Sequence, residues 1–506
     1  MIESLVALVT GPALLFLLGG VLLGLVFGAI PGLSATLAVV ILIPVTYTLG
    51  TTEGMALLIG SYVGGMSGGY VASILLNMPG TPATVASCFD GHPLAQKGQA
   101  GKALGVGTFA NLFGSLFGWL CLLLFGGALG AVAMNFGAFE MTAAILFGFA
   151  AVISLGGKSP LKALIAALLG LALSCIGYDA VSGMERATFD LPFLKNGFGY
   201  MPALIGLFVV AEVFKQVEEI GVKYVMPRQK IQNVLITLDE FKGEFVNFIR
   251  SSAIGVAIGL LPGIGGSFAN FITYDQAKKH AKHPEEYGTG NIGGIVASEA
   301  GAMGTVGGAL VPFIALGIPG DTVTAALLGG LMIKGIAPGP LFVAEHPDTV
   351  LAIYNAVFAS SILVFIFMML VGIRLFPRIL RLPKYVLLPV VAVFALVGTY
   401  NMNFSMGDVW ATLAFGLLGY AMGKIDMPKT PLVITMILGA AFETRLRTAM
   451  TLSGGSIVPF FTEPFALVFI LATVVSVAAP IVQKRRAARK AAQAPAAPEA
   501  PAGGSA

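Results

Sequence analysis

The chain has 506 residues, 57% of them hydrophobic and 11% charged, with a formal net charge of +4. Counting the 66 glycines lifts the apolar share to roughly 70%, against about 45–50% in soluble domains. Such a composition excludes a water-soluble fold, and so small a net charge gives no ground for nucleic-acid binding.

Nothing from Ser4 to Thr52 is charged, nor from Gly54 to Phe89, nor from Ala103 to Phe139. A bilayer-spanning helix takes about 20 apolar residues, so each run must hold a turn or a re-entrant pair. Further apolar segments lie near 141–157, 161–177, 199–217, 251–274, 291–319, 351–373, 385–407, 409–423, 429–442 and 464–483. The expected fold is an all-α polytopic membrane protein with about 11–13 membrane-embedded helical segments. The runs lack the period-2 alternation of barrel strands. The N-terminus begins with Glu3 and lacks the basic start and cleavage site of a signal peptide. Cys88, Cys121 and Cys175 imply no disulfide framework. The tail opens "KRRAARK" at Lys484 and turns to Ala/Pro/Gly sequence, which reads as a disordered cytoplasmic end.

Two stretches recur. "FGAIPGLSATLAVVILIP" at Phe27 matches "IGLLPGIGGSFANFITYD" at Ile258, pairing Gly28, Pro31 and Gly32 with Gly259, Pro262 and Gly263. "LLNMPGTPATVA" at Leu75 matches "ALGIPGDTVTAA" at Ala315, pairing Pro79, Gly80 and Thr84 with Pro319, Gly320 and Thr324. Proline removes an N–H and glycine bears no side chain, so a helix stops or restarts at each pair. Unpaired backbone is intolerable against lipid and marks a buried or water-filled site. Matching breaks in two halves point to a transporter's binding site. Lys97 and Lys102 follow the second break of the first half, whereas Lys278, Lys279 and Lys282 follow the first break of the second. Under the positive-inside rule this exchange predicts inverted repeats, although Lys334 after the fourth break runs against it. The boundaries expected are 1–222 for the first repeat and 223–249 for a connector. Residues 250–483 form the second repeat with C-terminal helices, and 484–506 the tail.

At these residues the chain resembles the large membrane subunit of the tripartite tricarboxylate transporters, the TctA permease family. The likeness rests on "GLVFGAIPGLSATLAVVILIP", "GGMSGGYVASILLNMPGTPAT", "DGHPLAQKGQAGKALG", "LLPGIGGSFANFITYDQAKK", "GGALVPFIALGIPGDTVTAALLGGLMIKGIAPGPLF", "PKYVLLPVVAVFALVGTY" and "LGAAFETRLRTAMTLSGGS". It covers Gly19 to about Pro464. The resemblance implies a secondary transporter, not an enzyme, importing organic anions such as citrate on a Na⁺ or H⁺ gradient across the bacterial inner membrane. It implies two partners: a periplasmic solute-binding protein (TctC-like) and a small four-helix membrane subunit (TctB-like). A homodimer is a further hypothesis. Family members typically carry Pro-Glu-Ala-Ala-Asn-Asn-Ala where this chain has Ser298-Glu299-Ala300-Gly301-Ala302-Met303-Gly304, and a small residue at Asp321. These departures put a citrate substrate in doubt. A dicarboxylate or an amino-bearing acid is the alternative cargo, and a passive anion channel the alternative class.

Half-helix N-termini supply positive potential to an anion without a buried cation. The candidate substrate residues are Pro31, Gly32, Ser34, Thr36, Pro79, Gly80, Thr81, Thr84, Pro262, Gly263, Gly265, Ser267, Asn270, Pro319, Gly320, Thr322 and Thr324. Each Ser or Thr has a bland reading, as a helix cap or an i−4 back-bond. Asp321 admits three readings: an N-cap, a coupling-ion ligand, or a partner for a substrate amine. Glu299 is the second coupling-ion candidate, against a loop-edge position. Glu443, Arg445 and Arg447 read as structural ion pairing, and Lys334 as a loop residue. His280 and His283 lack the further ligands of a metal site. "GGKS" at Gly156 lacks the first P-loop glycine, Val152 standing there. "PGIGG" at Pro262 is not a dinucleotide fingerprint. No cofactor is expected beyond a coupling Na⁺.

Overall fold

The computed structural model describes residues 2–155, 159–179, 181–218, 231–263, 265–380 and 384–493. The first half comprises α1 (Ile2–Thr10), α2 (Ala13–Ala29), α3 (Ala35–Thr46), α4 (Thr51–Leu76), a 3-10 turn at Pro82–Thr84, α5 (Ser87–Leu94) and α6 (Ala100–Ala133). Next come α7 (Ala138–Leu155), α8 (Pro160–Ser174) and a hairpin pairing Gly177–Tyr178 with Glu185–Arg186. A π-helical stretch joins α9 (Tyr200–Leu204) to α10 (Ala211–Glu218). The second half opens with α11 (Leu238–Gly259), α12 (Gly265–His280), α13 (Ile292–Leu316), α14 (Thr322–Ile333), α15 (Phe342–Glu345), α16 (Pro347–Phe367) and α17 (Ile373–Ile379). It closes with α18 (Lys384–Asn403), α19 (Met406–Lys424), α20 (Lys429–Leu452), α21 (Pro459–Thr462) and α22 (Pro464–Gln493).

Among the described residues, six helices are long and apolar enough to cross a membrane, or up to seven if the bent pair Glu3–Thr10 and Ala13–Ala29 is one span. Five shorter apolar helices include α3 and α14, at 12 residues each. At 1.5 Å per residue each reaches about 18 Å, roughly half a bilayer core. The protein is an all-α polytopic membrane protein, as the composition required.

The two repeats are superimposed in their glycine contacts. A Cβ added at Gly24 or Gly28 of α2 would sit 2.4 and 2.1 Å from the carbonyl oxygens of Ser61 and Gly65 in α4. One added at Gly255 or Gly259 of α11 would sit 2.1 and 2.7 Å from those of Gly301 and Thr305 in α13. Each half is therefore a pair of parallel helices at backbone contact, a mode open only to small residues. Their orientations are opposite. Tyr62 bonds Asp321 beyond the end of α13, whereas Ser67, later in α4, meets Met303, earlier in α13. The central helices α4 and α13 thus run antiparallel, and the repeats are inverted.

The basic loops now fall together. Lys102 pairs with Glu240 at the start of α11, and Asp90 takes N–H bonds from Gly288, Gly290 and Asn291 just past the lysine-bearing end of α12. Lys334 lies at the opposite end, where its ammonium donates to the carbonyls of Tyr47 and Leu49. It satisfies the ends of α3 and its following turn, which is why it departs from the charge rule.

The 251–274 segment is two helices, α11 and α12, rather than one span. The connector is partly helical, since α11 starts at Leu238; residues 219–230 lie outside the described part. Helix α22 continues to Gln493, ten residues into the expected tail, and residues 494–506 lie outside the described part.

At the Lys334 end, Arg186 of the hairpin pairs with Glu443, and Arg447 pairs with both Glu443 and Asp179. Hydrogen bonds from the Ser182 hydroxyl and the Arg447 guanidinium hold the Asp179 carboxyl well below the usual carboxylate range. A depressed folded pKa gives stability that is present above the unfolded value and lost as pH falls through the folded one. Hydrogen-exchange protection of residues 177–186 is therefore expected to hold from neutrality to about pH 4 and fall only in stronger acid. Asp179→Asn should lower it already at neutral pH.

Candidate functional site

The four Pro-Gly breaks converge. Gly32 and Gly263 occupy the same turn position with φ of +91° and +82°, a left-handed backbone that suits glycine. Each ends one arm of a hairpin and starts the next, α2 into α3 and α11 into α12. Gly80 and Gly320 are matched too. An added Cβ at Gly80 would lie 2.2 Å from the Gly28 oxygen, and one at Gly320 would lie 2.9 Å from the Gly259 oxygen. Each second break is thus wedged against the end of its own half's first helix.

The result is a cavity of about 120 Å³ lined by Ser34, Thr36, Met66, Thr81, Pro82, Gly263, Gly265, Ser267, Asp321 and Thr322, among others. The N-termini of α3, α12 and α14 and the turn at Pro82–Thr84 all open on it. Each full helix brings roughly half a positive charge and unpaired N–H groups. No lysine or arginine lines this cavity. Hydroxyls and convergent helix N-termini surround the cavity, and the Asp321 carboxylate is its one acidic lining group.

Asp321 is the N-cap of α14. Its Oδ1 accepts from the Thr324 N–H at 2.7 Å and from the Thr324 hydroxyl at 2.8 Å. Its own N–H donates to Thr324 Oγ1 at 2.9 Å, completing a capping box. Its Oδ2 accepts from the Tyr62 hydroxyl at 2.7 Å. Both oxygens are engaged by protein donors, and the aspartate borders the cavity while holding its wall. The matching Thr81 and Thr84 bond through Thr81 N–H to Thr84 Oγ1, so the box recurs in weaker form.

Several sequence candidates stand behind the cavity rather than in it. The carboxamide of Asn270 accepts from the Ala86 N–H and donates to the Ser298 carbonyl, which stitches the two halves together. Thr84 bonds Ser73, and Thr324 serves the Asp321 box. Pro262, Pro319 and Gly320 form the breaks without lining the cavity. Glu299 is wholly buried within α13, not at a loop edge, and accepts a bond from the Ser87 hydroxyl. His280 and His283 are exposed and bond the Gln276 carbonyl and Glu285. Of "GGKS", residues 156–158 lie outside the described part, and Ser159 precedes α8.

Sharing Ser34, Thr36, Thr81, Pro82 and Thr322 with the cavity is a vestibule of about 590 Å³. It adds Pro31, Gly32, Pro79, Gly80, Phe208, Glu212, Lys215, Gln216 and Lys429. Toward Lys334 the way is narrowed by the Thr36–Thr322 hydroxyl bond of 2.8 Å and the Tyr62–Asp321 bond. Sequence reading missed Tyr62, Lys215 and Lys429. Tyr62 carries no signal within its apolar helix, and the two lysines sit at helix ends, where a basic residue reads as a topology mark.

Residues 14–434 match the Tripartite tricarboxylate transporter TctA family. The chain is 34% identical over 475 residues to a 52.8 kDa protein of the TAR-I ttuC' 3' region of Agrobacterium vitis, covering 92% of this chain and 93% of the relative. A TAR-II ttuC' 3' region protein of the same organism is 32% identical over 212 residues, 42% of this chain and 87% of that protein. No solved structure matches. With the family profile spanning most of the chain and a relative matched almost end to end, the chain belongs to the TctA family of tripartite tricarboxylate transporters, a family of transport proteins rather than enzymes.

Proposed function

We propose that this chain is the permease subunit of a tripartite secondary transporter that imports small organic carboxylates across the bacterial inner membrane. The observation that carries the reading is the convergence of three helix N-termini on one cation-free cavity at the meeting of two inverted repeats. A carboxylate held by N–H dipoles and hydroxyls binds and leaves readily, whereas a buried lysine would retain it. The end bearing Lys97, Lys102, Lys278 and Lys279 is the cytoplasmic one under the positive-inside rule, and the C-terminus shares it. Lys215 and Lys429 then stand on the release side, where they draw the anion out of the cavity.

The opposite end receives cargo from a periplasmic solute-binding protein. A small membrane subunit packs on the lipid-facing helices, and a second copy of the chain is a further candidate neighbour. The amine-binding reading of Asp321 is not favoured, because Tyr62 and Thr324 already occupy both carboxylate oxygens. The test is uptake into proteoliposomes containing the permease and its two partners, with citrate, dicarboxylates and amino acids, with and without Na⁺ and a pH gradient. Gradient-dependent accumulation of at least one carboxylate is expected. Flux that merely equilibrates would make the protein a channel, and no flux of any organic acid would sink the reading.

A further inference from the structure

A second buried acid lies outside the cavity. Glu299 is 0% exposed within α13, two turns from its start, and no ion pair reaches it among the described residues. Its Oε1 accepts from the Ser87 hydroxyl, which itself contacts the Ser298 hydroxyl at 2.9 Å. Its Oε2 is buried with no hydrogen-bond partner. Beside it on α6 stands Asn111, 2% exposed, whose Nδ2 makes a long 3.4 Å bond to the Ser67 carbonyl and whose Oδ1 is buried without a partner. An isolated carboxylate in the membrane is costly and needs a functional reason. A cap role, which accounts for Asp321, is not available in mid-helix.

We propose that Glu299 is the coupling-proton site of this permease and that Asn111 serves both of its protonation states. The carboxylate takes a proton from the outer medium to become a neutral carboxylic acid, and returns it as a carboxylate on the cytoplasmic side. A carboxylate only accepts hydrogen bonds, whereas a carboxylic acid also donates one. The Asn111 amide meets either need by rotation: Nδ2 toward the carboxylate, Oδ1 toward the acid.

The titratable groups that face Glu299 are the Tyr70 hydroxyl on α4, bonded to Thr108, and the Cys88 thiol on α5. From α12, Asn270 bonds the Ser298 carbonyl and Thr273 packs on Gly301, and neither titrates. Ser87 links the site to transport, because it follows the Pro79-Gly80 break and lies a few residues from the cavity-lining Thr81, Pro82 and Ala83. A change of charge at Glu299 alters the hold on that segment.

The inference rests on the transport reading above, and the test separates the two. Wild type and Glu299→Gln are reconstituted with both partners, and two assays are run on a transported carboxylate. In Glu299→Gln, accumulation driven by a pH gradient should fall at least about tenfold, while counterflow exchange of labelled substrate persists, because the amide mimics the protonated acid. Asn111→Leu, which keeps the acid and removes both amide options, should shift the pH midpoint of uptake by about one unit or more. Gradient-driven accumulation that survives Glu299→Gln overturns the proposal, as does wild-type transport that needs Na⁺ and ignores the pH gradient. If Glu299→Gln loses exchange as well, an unshifted pH profile in Asn111→Leu overturns it and a shifted one sustains it. Absence of any carboxylate transport by wild type is instead a failure of the transport reading.

Discussion

Gly28→Val should prevent assembly of a stable permease. The first branch atom alone would stand 2.1 Å from the Gly65 oxygen, and that oxygen belongs to helix backbone, which cannot rotate away. Gly80 packs on the Gly28 oxygen from the other side, so parting α2 from α4 would also displace the second break and open the cavity wall. Overpacking a close-packed interior costs about 1–3 kcal/mol, and more where backbone must move. The expected readout is loss of the monodisperse peak in detergent, or a large drop in apparent melting temperature. Gly127→Ala on α6, where nothing lies within 4 Å of the added carbon, is the control and should be neutral. A Gly28→Val protein as stable as wild type would show that the two helices do not approach as described.

The second large effect is expected at Asp321, and its sign depends on which atom is removed. Asp321→Ala strips the N-cap of α14 and leaves the Tyr62 hydroxyl and the Thr324 N–H buried without partners. Loss of a cap costs about 0.5–2 kcal/mol. Each orphaned buried polar group adds about 1–3 kcal/mol. Asp321→Asn keeps an oxygen for the Thr324 N–H and offers an amide to the Tyr62 oxygen, so it should retain most of the stability. It should also retain ion-coupled uptake if the aspartate is chiefly a cap. A stable Asp321→Asn protein that has lost coupling would restore the carboxylate as an ion ligand. A cycle with Tyr62→Phe apportions the pair: the double variant Tyr62→Phe/Asp321→Ala should be less destabilised than the sum of the single changes.

Much of the architecture was legible because membrane embedding imposes harsh rules. A run such as Gly54–Phe89 is apolar enough to be embedded in the membrane, and a Pro-Gly pair within it must find shelter from lipid. The repeat was legible because four such pairs recur in the same order, and the exchange of the Lys97–Lys102 and Lys278–Lys282 loops disclosed the inversion. The tertiary structure corrected those inferences where side chains had alternatives. Asn270 and Thr324 follow their breaks within a turn of Ser267 and Thr322, yet the first two are consumed in holding the walls and the second two line the cavity. Which side a residue faces depends on helix rotation and tip depth, which spacing from a proline does not specify.

The two acids mark the same boundary. By itself the sequence determined that Asp321 sits in apolar surroundings, since the length of the uncharged run around it decides that, while it left Glu299 open to a loop-edge position. Only the tertiary structure decided what each carboxylate meets. Tyr62 lies 259 residues from Asp321 and supplies the donor for its second oxygen, whereas the described neighbours of Glu299 leave one oxygen without a partner. The helix class follows from local hydrophobicity, but the satisfaction of a buried charge follows from atoms brought together across the fold. That long-range pairing separates a carboxylate with both oxygens engaged from one with an oxygen left unpartnered.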